Sequence, residues 1–310
     1  MVSRRSVRIK VMQLLYSQSR DEQITKSQLL KAYDDSVESS FELLMFTLYI
    51  FVSTTRCAVD DEQKRKVKHL PNEEDLYFSA RLFNNPLLQS LATNPDLVKA
   101  FTKYKFASKV DSDFYQRQYN EFAKSKAYKT FLSTEHSAEA DMEILLELFR
   151  FLRKDEYFNE VVEDHFVNWY DDQSLVIGAM KKVIKALPVE GSFLDEHYPD
   201  KETAEEFGKT LLEKVCVNEP FIRTLVEPTL KNWDPERVAV IDMILLVMAV
   251  AEFLFFPTIP TKVTLNEYVE VSKLYSTPKS KDFINGILDR LMKTLKAEGK
   301  IQKEGRGLLD

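Results

Sequence analysis

Three observations predict an all-α fold. Seven glycines in 310 residues are too few for a turn-dense β fold or for phosphate-cradling loops, both of which need residues at positive φ. Helix start signals recur along the chain, two of them as an asparagine followed directly by proline. Between these signals the apolar residues return every three or four positions. With 44% hydrophobic residues the chain can bury a sizeable core and has room for two domains.

In chain order, Val7, Val11, Leu14 and Leu15 give a first helix its buried face, with Arg4, Arg5, Arg8 and Lys10 largely off it. A second, apolar helix is expected over residues 36–54. The charged run DDEQKRKVKH at 60–69, ahead of Pro71, reads as a linker. Asn72, Asn85–Pro86, Asn94–Pro95 and Ser137 then read as successive helix starts. In this middle stretch Tyr115, Tyr119 and Phe122 lie at i, i+4, i+7 with basic neighbours. The spacing is that of a buried stripe, and RNA binding is the lesser reading. Pro188, Gly191 and Pro199 mark a second boundary. Asp234–Pro235–Glu236 opens a very apolar helix that Pro257 closes. Thr264 with Glu267 reads as a capping box, and Thr277–Pro278 as the next N-cap and first helical position. Ile284, Ile287, Leu288, Leu291 and Leu295 form the stripe of the last helix.

The net charge of −6 is unevenly placed. Residues 4–10 carry four positive charges and no acid, and residues 273–306 carry nine bases against four acids. Residues 141–172 carry ten acids against three bases, read as solvated faces of amphipathic helices. Cys57 and Cys216, far apart and outside any CxxC, fit free thiols in a reducing cytoplasm. The histidines at 69, 136, 165 and 197 are scattered, so no metal site is expected. No glycine-rich nucleotide loop, nucleophile–base pair or other cofactor motif is present, which argues against an enzyme. The most apolar runs, 43–52 and 243–251, are about ten residues against the roughly twenty of a membrane span. A soluble, cytoplasmic protein with no membrane contact is expected.

The segments PTKVTLNEYVEVSK (260–273) and KSKDFINGILDR (279–290) are more specific. They resemble the C-terminal signature of the NusB family, P-x-K-V-x-[IL]-N-E, then A-K, then K-F-[IV]-N-G-[IV]-L-D. Ser272 stands at the family's alanine and Asp282 precedes the phenylalanine. Residues 205–256 resemble the family's third and fourth helices, and SRRSVRIKVMQLLY (3–16) its arginine-rich opening helix. Val247 stands where the family commonly has arginine. The likeness covers about 120 residues at the two ends of the chain.

The resemblance implies a NusB-like helical bundle core built from residues 1–60 and 191–310, with an additional helical segment over 61–190. It implies a transcription antitermination factor that binds a short single-stranded RNA element of ribosomal RNA transcripts. The implied partners are NusE, a small-subunit ribosomal protein, and the RNA polymerase antitermination complex. The implied RNA-binding residues are Arg4, Arg5, Arg8, Lys10, Lys279, Lys281 and Phe283. Arginine forks suit phosphates and base edges, and a phenylalanine among lysines suits a stacked unpaired base. Tyr16, Glu236 and Asp242 match partner-binding positions. Lys293, Lys296 and Lys300 either extend the basic footprint or form a solvated face. The main alternative is a helical protein-interaction scaffold that has lost RNA binding. A ribosomal RNA methyltransferase, a class that carries fused NusB-like domains, is disfavoured because no glycine-rich turn is present.

Overall fold

The structure is a computed structural model that describes residues 2–230 and 238–309. Its regular elements are helical, with no strand among the described residues. The chain divides into two compact units, residues 38–198 and residues 2–37 with 199–310. The divisions expected at residues 60 and 190 both fall inside the first unit.

The chain opens with α1 (Arg4–Arg20), capped by Ser3, whose hydroxyl accepts from Ser6 N–H while Ser6 answers the Ser3 N–H. Next comes α2 (Lys26–Lys66), a single helix far longer than the expected 36–54. The charged run from residue 60 is its last two turns rather than a linker. Asp61 pairs with Arg65 and Glu62 with Lys66 at i, i+4 spacing, which favours helix over coil. By length and composition α2 alone among the described helices could cross a membrane, but about two thirds of its apolar window is buried inside the protein.

The middle unit adds α3 (Glu73–Tyr77), α4 (Arg81–Asn84), α5 (Pro86–Ala92), α6 (Pro95–Lys103), α7 (Ser112–Ala123), α8 (Lys126–Ser133), α9 (Ala138–Leu152), α10 (Glu156–His165), α11 (Trp169–Lys185) and α12 (Phe193–His197). Asn72, Asn85, Asn94 and Ser137 are N-caps whose side chains accept backbone N–H bonds, as their sequence signals predict. Tyr115, Tyr119 and Phe122 are buried on α7, which assigns that stripe to the core. The Tyr119 hydroxyl reaches Asp61 Oδ2 at 2.9 Å and the Tyr128 hydroxyl at 3.2 Å. Two acids of the 141–172 stretch are not solvated. Asp141 accepts from buried Arg81 Nε and Nη2 at 3.1 and 3.0 Å, and Asp172 accepts from Ser40 at 2.6 Å and Asn168 at 2.7 Å. Glu143, Glu160, Glu163 and Asp164 are exposed, as expected.

The terminal unit continues with a π-helical stretch, Glu202–Lys209, that runs into α13 (Thr210–Val226). Then follow α14 (Val240–Phe255), α15 (Thr261–Tyr275) and α16 (Ser280–Ala297). α14 is buried along most of its length, and α1, α13, α15 and α16 all pack on it. Gly208 lets the π stretch approach closely. A Cβ there would lie 2.0 Å from the Tyr33 hydroxyl and 2.2 Å from Val7 Cγ1.

Two expected caps shift. α15 begins at Thr261, so Thr264 sits inside the helix, fully buried, with its hydroxyl turned to Glu252. α16 begins at Ser280 rather than Pro278. Thr277 instead closes a turn, its carbonyl accepting from Ser280 N–H at 2.9 Å. The expected helix start at Asp234–Pro235–Glu236 lies outside the described residues.

Candidate nucleic-acid interface

Glu252 is the one acid in the otherwise apolar second half of α14, and it is fully buried. Arg8 of α1, 2% exposed, meets it with two hydrogen bonds, Nε to Oε2 at 2.9 Å and Nη2 to Oε1 at 2.7 Å. The Thr264 hydroxyl donates to Oε1 at 2.7 Å and the Tyr268 hydroxyl to Oε2 at 3.2 Å. The guanidinium lies over the ring of Phe207, 4.8 Å from its centroid. Burial alone would lower the pKa of Arg8, but the charge and hydrogen bonds of Glu252 outweigh it and raise it above the ordinary value. Burial, then Glu252, raises the Tyr268 phenol well above its usual range. Arg8 was expected to hold RNA phosphates. Buried and paired with Glu252, it fixes α1 to α14 instead.

Lys10 is also buried, so it too is withdrawn from the surface where an RNA contact was expected. Arg4 and Arg5 remain at the surface. Arg4 Nη2 lies 2.8 Å from Glu202 Oε1. Arg5 is bidentate on Glu267, at 2.9 and 2.8 Å, and is about half exposed. That hydrogen bond from Arg5 pulls the Glu267 carboxyl below its ordinary value and raises Arg5 in return. Such exposed pairs are weak enough for phosphate oxygens to compete with the acids.

Lys279 and Lys281 are exposed at the start of α16, with Phe283 one turn in and only partly buried. This end is anchored by Asp242, whose carboxylate accepts from Ser276 at 2.6 Å and from Ser280 at 2.7 Å. Asp242 therefore has a structural role. It is 5% exposed and pins the α15–α16 turn to α14. Tyr16 is partly exposed, with the Arg20 guanidinium 5.0 Å from its ring centroid and bonded to its hydroxyl at 3.2 Å. Glu236 lies outside the described residues. Val247 is buried and helps line a cavity of about 550 Å³ between α1, α13 and α14.

The two basic groups do not merge into one patch. Arg5 sits at the Glu252 end of α14, through its pair with Glu267 and the neighbouring Arg8–Glu252 bond. Lys279 and Lys281 sit at the Asp242 end, through Ser280. Ten residues of helix separate these ends, about 15 Å along the axis. Lys293 and Lys300 carry their own local acids, Asp289 and Glu298, at 2.7 Å each, and Lys296 is exposed on the same helix, which suits a solvated face. No group of three metal-ligating side chains comes together among the described residues.

Residues 179–293 match the family model described as the NusB family. Proteins named transcription antitermination protein NusB are similar to the chain. The one from Chloroherpeton thalassium is 40% identical over 107 residues, covering 34% of this chain and 51% of the relative. That from Salinibacter ruber is 38% identical over 117 residues, 37% of this chain and 70% of the relative. That from Geobacter sulfurreducens is 38% identical over 115 residues, 37% of this chain and 83% of the relative. The chain belongs to the NusB family. It spans about half the length of the Chloroherpeton relative and most of the other two. No solved structure matches it. The NusB match falls mainly on α13 to α16, the helices that carry Glu252, Glu267, Asp242 and Phe283. Sequence reasoning missed Glu202, Glu252 and Glu267 as partners of the arginines. A lone acid inside the apolar run LLVMAVAEFLF was the available signal, because a buried carboxylate requires a cation or several donors.

Proposed function

We propose that this NusB-family chain is a cytoplasmic transcription antitermination factor. It binds a short single-stranded element of ribosomal RNA transcripts together with NusE, within the RNA polymerase antitermination complex. Family membership carries the reading. Arg4 and Arg5 at the surface of one end of the terminal unit, and exposed Lys279 and Lys281 with the partly buried Phe283 at the other, support it. The acidic balance of the chain does not oppose it, because residues 38–198 hold 20 basic and 27 acidic side chains and so contain the whole excess. Phosphate contacts supply affinity and stacked bases supply selectivity. Tyr16 is the partner-facing residue of this reading.

RNA affinity measured against salt tests it. Each phosphate contact on single-stranded RNA contributes about 0.7 to the slope of log affinity on log salt. Arg5→Ala and Lys281→Ala should each flatten the slope by about that amount. Phe283→Ala should keep the slope and cost about 1–3 kcal/mol of binding. Unchanged RNA affinity in all three variants, with and without NusE, overturns the reading. The scaffold alternative draws on one observation, that Arg4 and Arg5 already hold Glu202 and Glu267. It predicts NusE binding without RNA binding.

A further inference from the structure

The middle unit contains a groove built from two matching helix faces. Tyr49, Val52, Ser53 and Arg56 line it from α2, at i, i+3, i+4 and i+7. Val98, Phe101 and Thr102 line it from α6, and Lys105 follows at i+7. The faces meet at their floor, where the rings of Tyr49 and Phe101 stand 5.2 Å apart, edge to face. The groove encloses about 590 Å³, and Val98, 47% exposed, stands open on its wall.

The charge of the lining is one-sided. Arg56 and Lys105 are its only charged residues, both are exposed, and neither pairs with an acid among the described residues. Lys103 and Lys109, close to Lys105 in the chain, are instead each held by a carboxylate, Glu38 and Glu42. Lys105 is also the one non-glycine residue at positive φ among the described residues, at 54°, a position where helix ends usually take glycine.

A groove lined from two helices by apolar side chains such as Tyr49, Val52, Val98 and Phe101 is what a third helix packs into. We infer that this groove docks an amphipathic helix of a partner protein whose apolar stripe is flanked by acidic side chains. Apolar residues at i, i+3, i+4 and i+7 of the partner fill the space over Tyr49, Val52, Val98 and Phe101. Its carboxylates meet Arg56 and Lys105, which sets orientation and rejects basic helices.

The test uses the full chain and two labelled synthetic helical peptides, with binding read by fluorescence anisotropy. Both carry leucine at i, i+3, i+4 and i+7. One has glutamates along the flanks and the other lysines. The glutamate peptide should bind at least ten-fold more tightly than the lysine peptide. The double variant Arg56→Glu, Lys105→Glu should invert that preference, and Val98→Asp should abolish binding of both peptides with the circular dichroism unchanged. Failure of the glutamate peptide to bind, or an unaltered preference in the double variant, overturns the inference. So does concentration-dependent self-association that Val98→Asp removes, which would give the groove to a second copy of the chain. Displacement of the glutamate peptide by single-stranded RNA, lost in the double variant, would give it to nucleic acid and overturns it equally.

Discussion

Arg8 and Glu252, 244 positions apart in the chain, form a two-bond ion pair at the centre of the terminal unit, 2% and 0% exposed. Thr264 and Tyr268 of α15 each donate one more hydrogen bond to the carboxylate, which offsets its desolvation. Removing one member strands the other. Arg8→Ala or Glu252→Ala should each destabilise the terminal unit by about 3–5 kcal/mol in denaturant unfolding. The paired replacement Arg8→Met, Glu252→Leu should recover much of that loss. A loss below about 1 kcal/mol for the single variants would show that the pair does not hold α1.

Asp242 should behave as a structural acid. Its two serine hydroxyl bonds fix the turn between α15 and α16. Asp242→Ala removes the acceptor shared by buried Ser280 and partly buried Ser276 and should cost about 1–3 kcal/mol. Amide hydrogen exchange should rise first at Ser276 to Ser280. Exchange unchanged there would detach Asp242 from that turn.

Gly208 cannot gain a side chain cheaply. A methyl group would overlap the Tyr33 hydroxyl, itself bonded to Ala204 O at 2.7 Å, and Val7. Gly208→Ala should lose about 1–3 kcal/mol by forcing α1 away from the π stretch. Gly208→Ala with Tyr33→Phe should recover part of it. The check is the thermal midpoint of both variants.

The Arg5–Glu267 pair makes a small acid-side contribution to stability. The folded-state pKa of Glu267 is depressed. Its contribution is therefore present above the unfolded carboxylate value, about 4.3, and is lost as pH falls through the lower folded value. Because Arg5 is half exposed, solvent screens the pair to less than about 1 kcal/mol. Wild type and Arg5→Ala should differ slightly in stability at pH 7 and converge in strong acid. A gap that widens on acidification would contradict the assignment.

Much of the molecule was legible in the residues. Local signals placed the caps at Asn72, Asn85, Asn94 and Ser137, because an N-cap depends on a side chain reaching its own first turn. The stripe Tyr115, Tyr119, Phe122 was read as core for the same reason of helical period. The motif from Pro260 to Arg290 was enough to point to the NusB family. Reading failed where a residue's role depends on a distant partner. Thr264 and Glu267 have capping-box spacing, but the buried Glu252 claims one and Arg5 the other. The run from Asp60 to His69 looks like a linker by charge, yet i, i+4 pairs keep it helical through Lys66.

The sequence by itself determined the helical class, the starts of α3, α5, α6 and α9 and the basic character of both chain ends, since these depend on period, propensity and composition within a few turns. Only the tertiary structure decided which basic residues face water. Arg8 belongs to the same helix start as Arg4 and Arg5, and nothing within seven residues distinguishes the three. Helical rotation turns Arg8 onto α14, where a carboxylate 244 residues away makes burial of its charge favourable. Long-range pairing of that kind is a property of packing, and a linear pattern does not encode it.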